Sequence, residues 1–318
     1  RYSGLHFGNV IWAQYAGNSL PDLRYYCDTA VKDDANIFTK LNIKLSEKLN
    51  IFGDLQYRGI YYSFFGFDDK LNSTQQEDIL NFFNPKAGIM FRPDAVNTLY
   101  ASFAVANKEP NRDDYVQSTS LNRPKHEILR NIEAGFRHST EKWMAAVNYY
   151  YMFYRNQLVL TGLINDVGAY NRTNIDKSYR SGIELEIAAK PYRKLDIAGN
   201  LTLSENKILN FTEYVDNWDD WLQMEVSHNK TDISFSPSVI SSLIIEYSPV
   251  KNITLGWNSK YVGKQYLDNT SSSDRAIDPY FVNDFEVAYT MIPRFTKEIR
   301  FSWNIYNILN EMYESNGW

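Results

Sequence analysis

Apolar and polar residues alternate along this chain with period two, in one segment after another, and that pattern predicts strands from end to end. In 195–206 the odd positions Leu195, Ile197, Leu201 and Leu203 are apolar, while Asp196, Asn200, Thr202 and Ser204 are polar. In 297–306, Ile299, Phe301, Trp303 and Ile305 alternate with Arg300, Ser302 and Asn304. The same rhythm predicts about thirteen strands, near 6–15, 35–46, 50–63, 85–93, 97–106, 128–138, 142–155, 179–189, 194–206, 237–248, 252–264, 280–291 and 297–308. Most are longer than the ~5–6 residues usual in soluble sheets and match the ~9–11 residues that cross a bilayer obliquely.

From the second strand onward the connections alternate in length. Short ones fall at 46–49, 93–96, 139–141, 191–193, 248–251 and 293–296, and long polar ones at about 64–84, 107–127, 156–178, 207–236 and 265–279. Short turns at one rim and long loops at the other are the arrangement of outer-membrane barrels. A β-propeller also repeats every ~40–50 residues, but its blade holds four short strands where this period holds two long ones. Propeller sheets are also covered on both faces, and the polar parity here carries rows of charge. Those residues are Lys40, Asp54, Arg58, Lys86, Glu184, Glu186, Asp196, Lys260, Asp284 and Glu286. A Lys or Arg facing lipid at mid-plane costs roughly 2–4 kcal/mol, so they are predicted to line a lumen. Tyr57, Tyr61, Trp143, Tyr149, Tyr151, Phe153, Tyr261, Phe281 and Tyr289 share the apolar parity and are predicted to form aromatic girdles.

Composition agrees and narrows the function. The chain has 318 residues with 24 Tyr, 18 Phe and 7 Trp, a strand-favouring set. No apolar run reaches the ~18 residues of a membrane helix. A net charge of −5 without any Lys/Arg block gives no footprint for nucleic acid. One cysteine, Cys27, excludes a disulfide scaffold or a cysteine-built metal centre. The four histidines, His6, His126, His138 and His228, stand in no zinc-hydrolase spacing, and no nucleophile-elbow serine accompanies them. The expectation is a protein that is not an enzyme, with no resident cofactor or metal.

Several stretches then resemble the TonB-dependent outer-membrane receptors. Asn84-Pro85-Lys86-Ala87-Gly88 through Arg92-Pro93, followed by Leu99–Phe103 and Glu109-Pro110-Asn111-Arg112, is similar to that family's mid-barrel hairpin and the loop after it. Glu133-Ala134-Gly135 is similar to its E-x-G strand, and Gly182-Ile183-Glu184-Leu185-Glu186 to its G-x-E-x-E strand. Asn307-Ile308-Leu309-Asn310 with Tyr313 resembles the element before its final strand. The resemblance implies an all-β fold, an antiparallel transmembrane β-barrel of about 22 strands, of which residues 1–318 supply a C-terminal portion of about thirteen. It places the plug domain, the segment that couples to TonB and the closing strand outside this sequence. It implies uptake of a scarce, large ligand across the outer membrane of a Gram-negative bacterium, powered by TonB. A ferric siderophore is the first candidate, with cobalamin, haem or a glycan behind it. A soluble propeller-like binding protein and a passive barrel are the alternatives from other classes.

Loop 207–236 holds Tyr214 and, further on, Trp218-Asp219-Asp220-Trp221, where carboxylates between indoles could stack on and hydrogen-bond a ring-bearing ligand. Rings packing the loop on itself is the competing reading. Asp113-Asp114 and Asp68-Asp69 could offer oxygens to calcium, though acidic pairs are common in solvated loops.

Overall fold

A strand whose side chains alternate in polarity buries or greases one face only, so successive strands pair edge to edge in the same sense. In the computed structural model they do so as a single antiparallel sheet. The structure describes residues 1–14, 20–68, 71–116, 123–164, 170–217 and 222–317. The first nine strands are β1 (Tyr2–Asn9), β2 (Arg24–Lys44), β3 (Leu49–Phe67), β4 (Gln76–Phe91), β5 (Asn97–Lys108), β6 (Glu127–Ser139), β7 (Trp143–Ile164), β8 (Tyr170–Tyr192) and β9 (Leu195–Asn217). They are followed by β10 (Leu222–Asp232), β11 (Val239–Tyr247), β12 (Ile253–Val262), a two-residue pair β13 (Gln265–Tyr266) and β14 (Ala276–Ile277), then β15 (Tyr280–Met291) and β16 (Ile299–Ile305). One short helix, α1 (Arg112–Val116), lies between β5 and β6.

The main sheet has 14 strands in the order β1 through β9, then β11, β12, β15 and β16, with β10 attached to β9 alone. Each strand in this path pairs with its predecessor, so the six short turns fall at one end and the long connections at the other. One continuous sheet, rather than separate blades, removes the propeller. The short turns carry their own chemistry. Asp94 Oδ1 accepts the Val96 and Asn97 N–H groups at 2.9 and 2.8 Å, and Thr140 Oγ1 accepts that of Trp143 at 3.1 Å. Asn252 takes a positive φ of 75° in the β11–β12 turn, a conformation asparagine tolerates.

The strands run further than periodicity predicted. β1 occupies Tyr2–Asn9 rather than 6–15. β7 and β8 are 22 and 23 residues long, so most of the expected loop 156–178 is a paired ladder. Expected loop 207–236 is largely the β9–β10 hairpin, an arm paired from Asn217↔Leu222 to Lys207↔Asp232. At about 3.3 Å per residue, 23 residues span about 75 Å, more than twice a bilayer's apolar core. The outer halves therefore stand clear of it, where apolar alternation is not required and the sequence signal fades. β4 likewise begins at Gln76 and runs through Pro85. Pro85 has no N–H to give β5, and the β4–β5 ladder ends beside it at Lys86↔Ala104. Beyond that point the Asn107 side chain and backbone N–H both donate to Asn84 Oδ1 at 2.9 Å.

The register sorts the side chains. The row Leu49, Phe91, Leu99, Phe136, Val147, Leu185 and Leu201 crosses seven strands on one face. Phe301 and Trp303 lie on the same face, 60% and 65% exposed, with no second sheet against them among the described residues. The opposite face carries three strand glycines beneath aromatic rings: Phe52 lies across Gly88, Tyr100 across Gly135 and Tyr150 across Gly182, each ring on the strand before its glycine. Tyr100 thereby reaches Asn148 Oδ1 at 2.9 Å, two strands away. A side chain at any of these glycines would occupy the space of the ring, which is the physical content of the E-x-G and G-x-E-x-E signals.

Candidate functional site: the charged face and the strap above it

All ten charged residues expected on the lumen side share one face, because paired residues in an antiparallel ladder point the same way. Lys40 pairs Asp54, Asp54 pairs Lys86, and the row continues through Ala104, Asn131 and Met152 to Arg180. Arg58 stands four residues from Asp54, and Glu184 and Glu186 at even steps from Arg180. Glu186 pairs Asn200, which pairs Ser242 opposite Lys260, and Asp196, Asp284 and Glu286 keep that parity. Several hold neighbours: Glu184 accepts from Asn148 at 3.0 Å, Asp196 meets Lys190 at 2.7 Å, and Glu286 meets Arg300 at 2.9 Å. Asp284 accepts the Asn307 N–H at 2.8 Å, and Lys86 stands 5.7 Å over the Phe52 ring.

Toward the long-loop end this same face turns apolar and is covered. Ile60, Leu80 and Phe82 form one buried cluster, and Ala30, Phe64 and Tyr115 another, with Tyr62 against both. The cover is the segment 109–116, which folds back over β2–β4 as a strap. Each of its residue types has a partner there. Glu109 receives Lys32 Nζ at 2.6 Å and Arg58 Nη1 at 2.8 Å, and Arg58 also clasps Asp34 with Nη2 at 2.6 Å. Pro110 is fully buried. Arg112 meets Asp28 at 2.7 Å. Asp114 accepts the Asn111 N–H at 2.7 Å, closing the first turn of α1, and holds Arg172 of β8 at 2.7 Å. Tyr115 donates to Asp78 at 2.6 Å, and its carbonyl accepts from Gln76 at 2.6 Å.

The electrostatics follow from burial and pairing. Burial pushes the Glu109 carboxyl up, but hydrogen bonds from Lys32 and Arg58 outweigh it, so Glu109 lies below the ordinary glutamate range and is ionised at neutral pH. Burial, reinforced by Asp78, raises the Tyr115 hydroxyl well above its usual value. His126 packs on Phe82, and burial lowers its pKa, which favours the neutral ring.

The arm has its own anchorage. Arg275 bridges Asp268 at 2.6 Å and Glu213 at 3.2 Å, His228 stands 3.1 Å from Glu213, and Asp232 takes Lys207 at 2.7 Å and Ser271 at 2.9 Å. These contacts tie segment 263–279 to the β9–β10 hairpin. Tyr214 lies on that hairpin opposite Glu225, 59% exposed. Trp218, Asp219, Asp220 and Trp221, which follow β9 in sequence, lie outside the described residues, and so does Asp69. Asp114 spends its charge on Arg172, and no grouping of three or more His, Cys, Asp or Glu suited to a metal occurs among the described residues. The strap was visible in sequence only as the Glu109–Arg112 motif and an acidic pair. Its partners Asp28, Lys32, Asp78 and Arg172 lie far along the chain and carried no signal of their own.

With this geometry in place, the chain compares with known proteins as follows. No curated protein is matched by its sequence. Among solved structures, the ferric-catecholate import receptor Fiu from E. coli K12 superposes with a TM-score of 0.71 at 16% identity, over 98% of this chain and 46% of Fiu. The siderophore receptor PiuA from Acinetobacter baumannii gives 0.74 at 14%, over 98% and 47%. The ferric yersiniabactin uptake receptor FyuA from Yersinia pestis gives 0.69 at 14%, over 94% and 44%. The chain thus spans under half the length of the structures it resembles, and at these identities the likeness is one of fold. The model of the TonB dependent receptor-like β-barrel matches residues 2–308. The chain belongs to that family of TonB-dependent receptor β-barrels.

Proposed function

We propose that this chain is the C-terminal portion of the barrel of an outer-membrane receptor that takes up a ferric siderophore, with energy supplied through TonB. Members of the family are receptors and transporters, not enzymes, and they are outer-membrane proteins. In this reading the apolar face meets lipid, and the face bearing Lys40, Asp54, Arg58, Lys86, Glu184, Glu186, Asp196, Lys260, Asp284 and Glu286 lines the lumen and meets the plug domain. The observation that carries it is the alignment of charge on one continuous face opposite an exposed apolar one, since neither face could exchange places without stranding charge in lipid. The choice of a siderophore is supported by the likeness to Fiu, a ferric-catecholate import receptor, PiuA, a siderophore receptor, and FyuA, a ferric yersiniabactin uptake receptor.

Capture is assigned to the arm, through Tyr214, Trp218, Asp219, Asp220 and Trp221. The test uses the full-length receptor in outer-membrane vesicles with iron-55 chelates of catecholate, hydroxamate and carboxylate type. One class binds tightly, and replacing Trp218 and Trp221 with alanine weakens it about 10–100-fold while the barrel stays folded. Unchanged affinity moves the capture site to the charged face or the strap. Failure to bind any ferric chelate, with binding of cobalamin or a glycan instead, overturns the siderophore.

A further inference from the structure

The apolar face gathers cations in one sector. β3, β4, β5, β11, β12, β15 and β16 place none on that parity, and β2 places Asp33 there, held by Arg1 at 3.5 Å. On β6–β10 the same parity bears Arg130, Arg155, Lys177, Lys207 and Lys230. Arg155 faces Lys177 directly across the β7–β8 ladder, and Lys177 in turn faces Leu209, whose partner on β10 is Lys230. Two carboxylates share the patch, and both are engaged: Asp232 by Lys207 and Glu205 by Lys230, each at 2.7 Å. On the opposite parity Glu127 holds Lys108 at 3.0 Å, and Asp176 flanks Lys177 without pairing with it. Arg130, Arg155 and Lys177 are exposed and have no carboxylate partner among the described residues. Like charges directly opposite one another in a ladder repel, and no described residue offsets the Arg155–Lys177 pair.

The strands themselves fix the level of this patch. Arg155 stands twelve residues beyond Trp143 on β7, and Lys177 stands twelve from Ala189, the residue that pairs Trp143. Twelve residues make about 40 Å of strand, and at a tilt of ~40° about 30 Å along the membrane normal, the thickness of the hydrocarbon core. Trp143 marks the short-turn boundary. Phe153, which pairs both Arg130 and Tyr179, lies at the other, and Tyr151 stacks on Tyr179 at 6.0 Å just beneath the cations. The unpaired cations therefore stand at headgroup level on the long-loop side, immediately above a belt of rings.

We propose that Arg130, Arg155 and Lys177 form a seat for a lipid bearing two phosphates, in the leaflet on the long-loop side, with its acyl chains lying down the apolar face below. The inference rests on the reading that this face meets lipid, and it does not depend on which ligand is imported. A phosphate between Arg155 and Lys177 turns their repulsion into a pair of charge-assisted contacts, and Arg130 is left for a second. The three cations lie on three adjacent strands, about 10 Å across at ~4.8 Å per strand. That spread suits a headgroup with separated phosphates better than the single phosphate of an ordinary phospholipid. The same parity continues below as Ile132, Tyr151 and Ile183, a surface for acyl chains and not for an acidic protein.

The test is native mass spectrometry of the full-length receptor in detergent, titrated with bisphosphorylated lipid A, its monophosphoryl form and phosphatidylglycerol. Wild type retains the bisphosphorylated lipid ~10-fold better than either of the others, the effect of one or two further cation contacts near a surface. Combined Arg130→Gln, Arg155→Gln and Lys177→Gln removes the excess. Combined Lys48→Gln, Arg92→Gln and Lys142→Gln, in the short turns at the other end, leaves it in place. Lys177→Glu gives Arg155 a partner within the ladder, so it lowers retention while raising the thermal midpoint in lipid-free detergent, which separates loss of the seat from loss of the fold. Equal retention of the three lipids by wild type, or an excess that survives the first glutamine variant, overturns the seat and leaves the lipid-facing reading standing. An excess lost in the short-turn variant overturns its placement. Retention of no lipid at all overturns the lipid-facing reading, and the seat with it.

Discussion

Gly182→Ala should destabilise the barrel by about 2–3 kcal/mol, more than the same change at Gly135 or Gly53. A Cβ at Gly182 would lie 2.6 Å from the Tyr150 hydroxyl and 2.7 Å from the Leu203 carbonyl oxygen. The ring could swing away, but the carbonyl belongs to the β8–β9 ladder and cannot move without breaking pairing. Gly135 provides the comparison. The three atoms nearest its Cβ would all belong to the Tyr100 side chain, from 2.5 Å, and that side chain can rotate at the expense of its bond to Asn148. Gly135→Ala is therefore expected to cost about 1 kcal/mol, the worth of one hydrogen bond. At Gly53 nothing lies within 4 Å, so Gly53→Ala is neutral or slightly stabilising, because alanine loses less backbone freedom on folding. Urea unfolding midpoints of the full-length receptor in vesicles, with unchanged slopes, measure the order. Equal effects at Gly182 and Gly53 would remove the ring-over-glycine account.

Removing the Glu109 carboxylate should release the strap without unfolding the sheet. Lys32 and Arg58 would then share Asp34 alone, in surroundings where Glu109 and Lys32 side chains are only 17% and 19% exposed. Leaving partly buried cations short of a partner costs roughly 1–3 kcal/mol after allowing for their contact with water. Amide hydrogen exchange of 109–116 in Glu109→Ala is expected to quicken about 10–100-fold, with β6–β9 unchanged. Acidification should act in the same direction. Glu109 titrates below its ordinary value in the docked state, so its contribution is complete above the unfolded glutamate pKa and is lost as pH falls through the docked one. Strap protection should hold from pH 7 down to about 5 and decline below about 4, and the decline should be smaller in Glu109→Gln, which keeps only the Arg112–Asp28 and Asp114–Arg172 pairs. Protection that is indifferent to both substitution and pH would show that the Tyr115 core, not the ion cluster, holds the segment.

The parts of this architecture that could be read from sequence are those set by side-chain period. Thirteen strands of a meander, sorted loops and two unlike faces all follow from alternation at positions such as 195–206, because a one-residue slip would invert every side chain. What could not be read lies beyond the bilayer. Segments 156–164 and 170–178 lack the period-two alternation, with Leu158, Val159 and Leu160 consecutive in the first and Asn171 to Asn174 all polar in the second, yet they are strands because each supplies the other's ladder. The 207–236 hairpin is hidden for the same reason: pairing, not greasing, makes it. The strap shows the other limit. Glu109 finds partners 77 and 51 residues away and Arg112 one 84 residues away, separations that no local spacing encodes. Its motif was legible as a resemblance while its role was not.

The claim on which the rest depends is that the two faces of the sheet meet different media. Site-directed spin labelling along β9 tests it directly, in the full-length receptor with Cys27→Ser and single cysteines at positions 199 to 204, reconstituted in vesicles. Collision with oxygen, which concentrates in lipid, should peak at 199, 201 and 203. Collision with a water-soluble nickel chelate should peak at 200, 202 and 204. Two profiles in antiphase with period two are the predicted result, and profiles that coincide, or that place lipid at 200, 202 and 204, would contradict it.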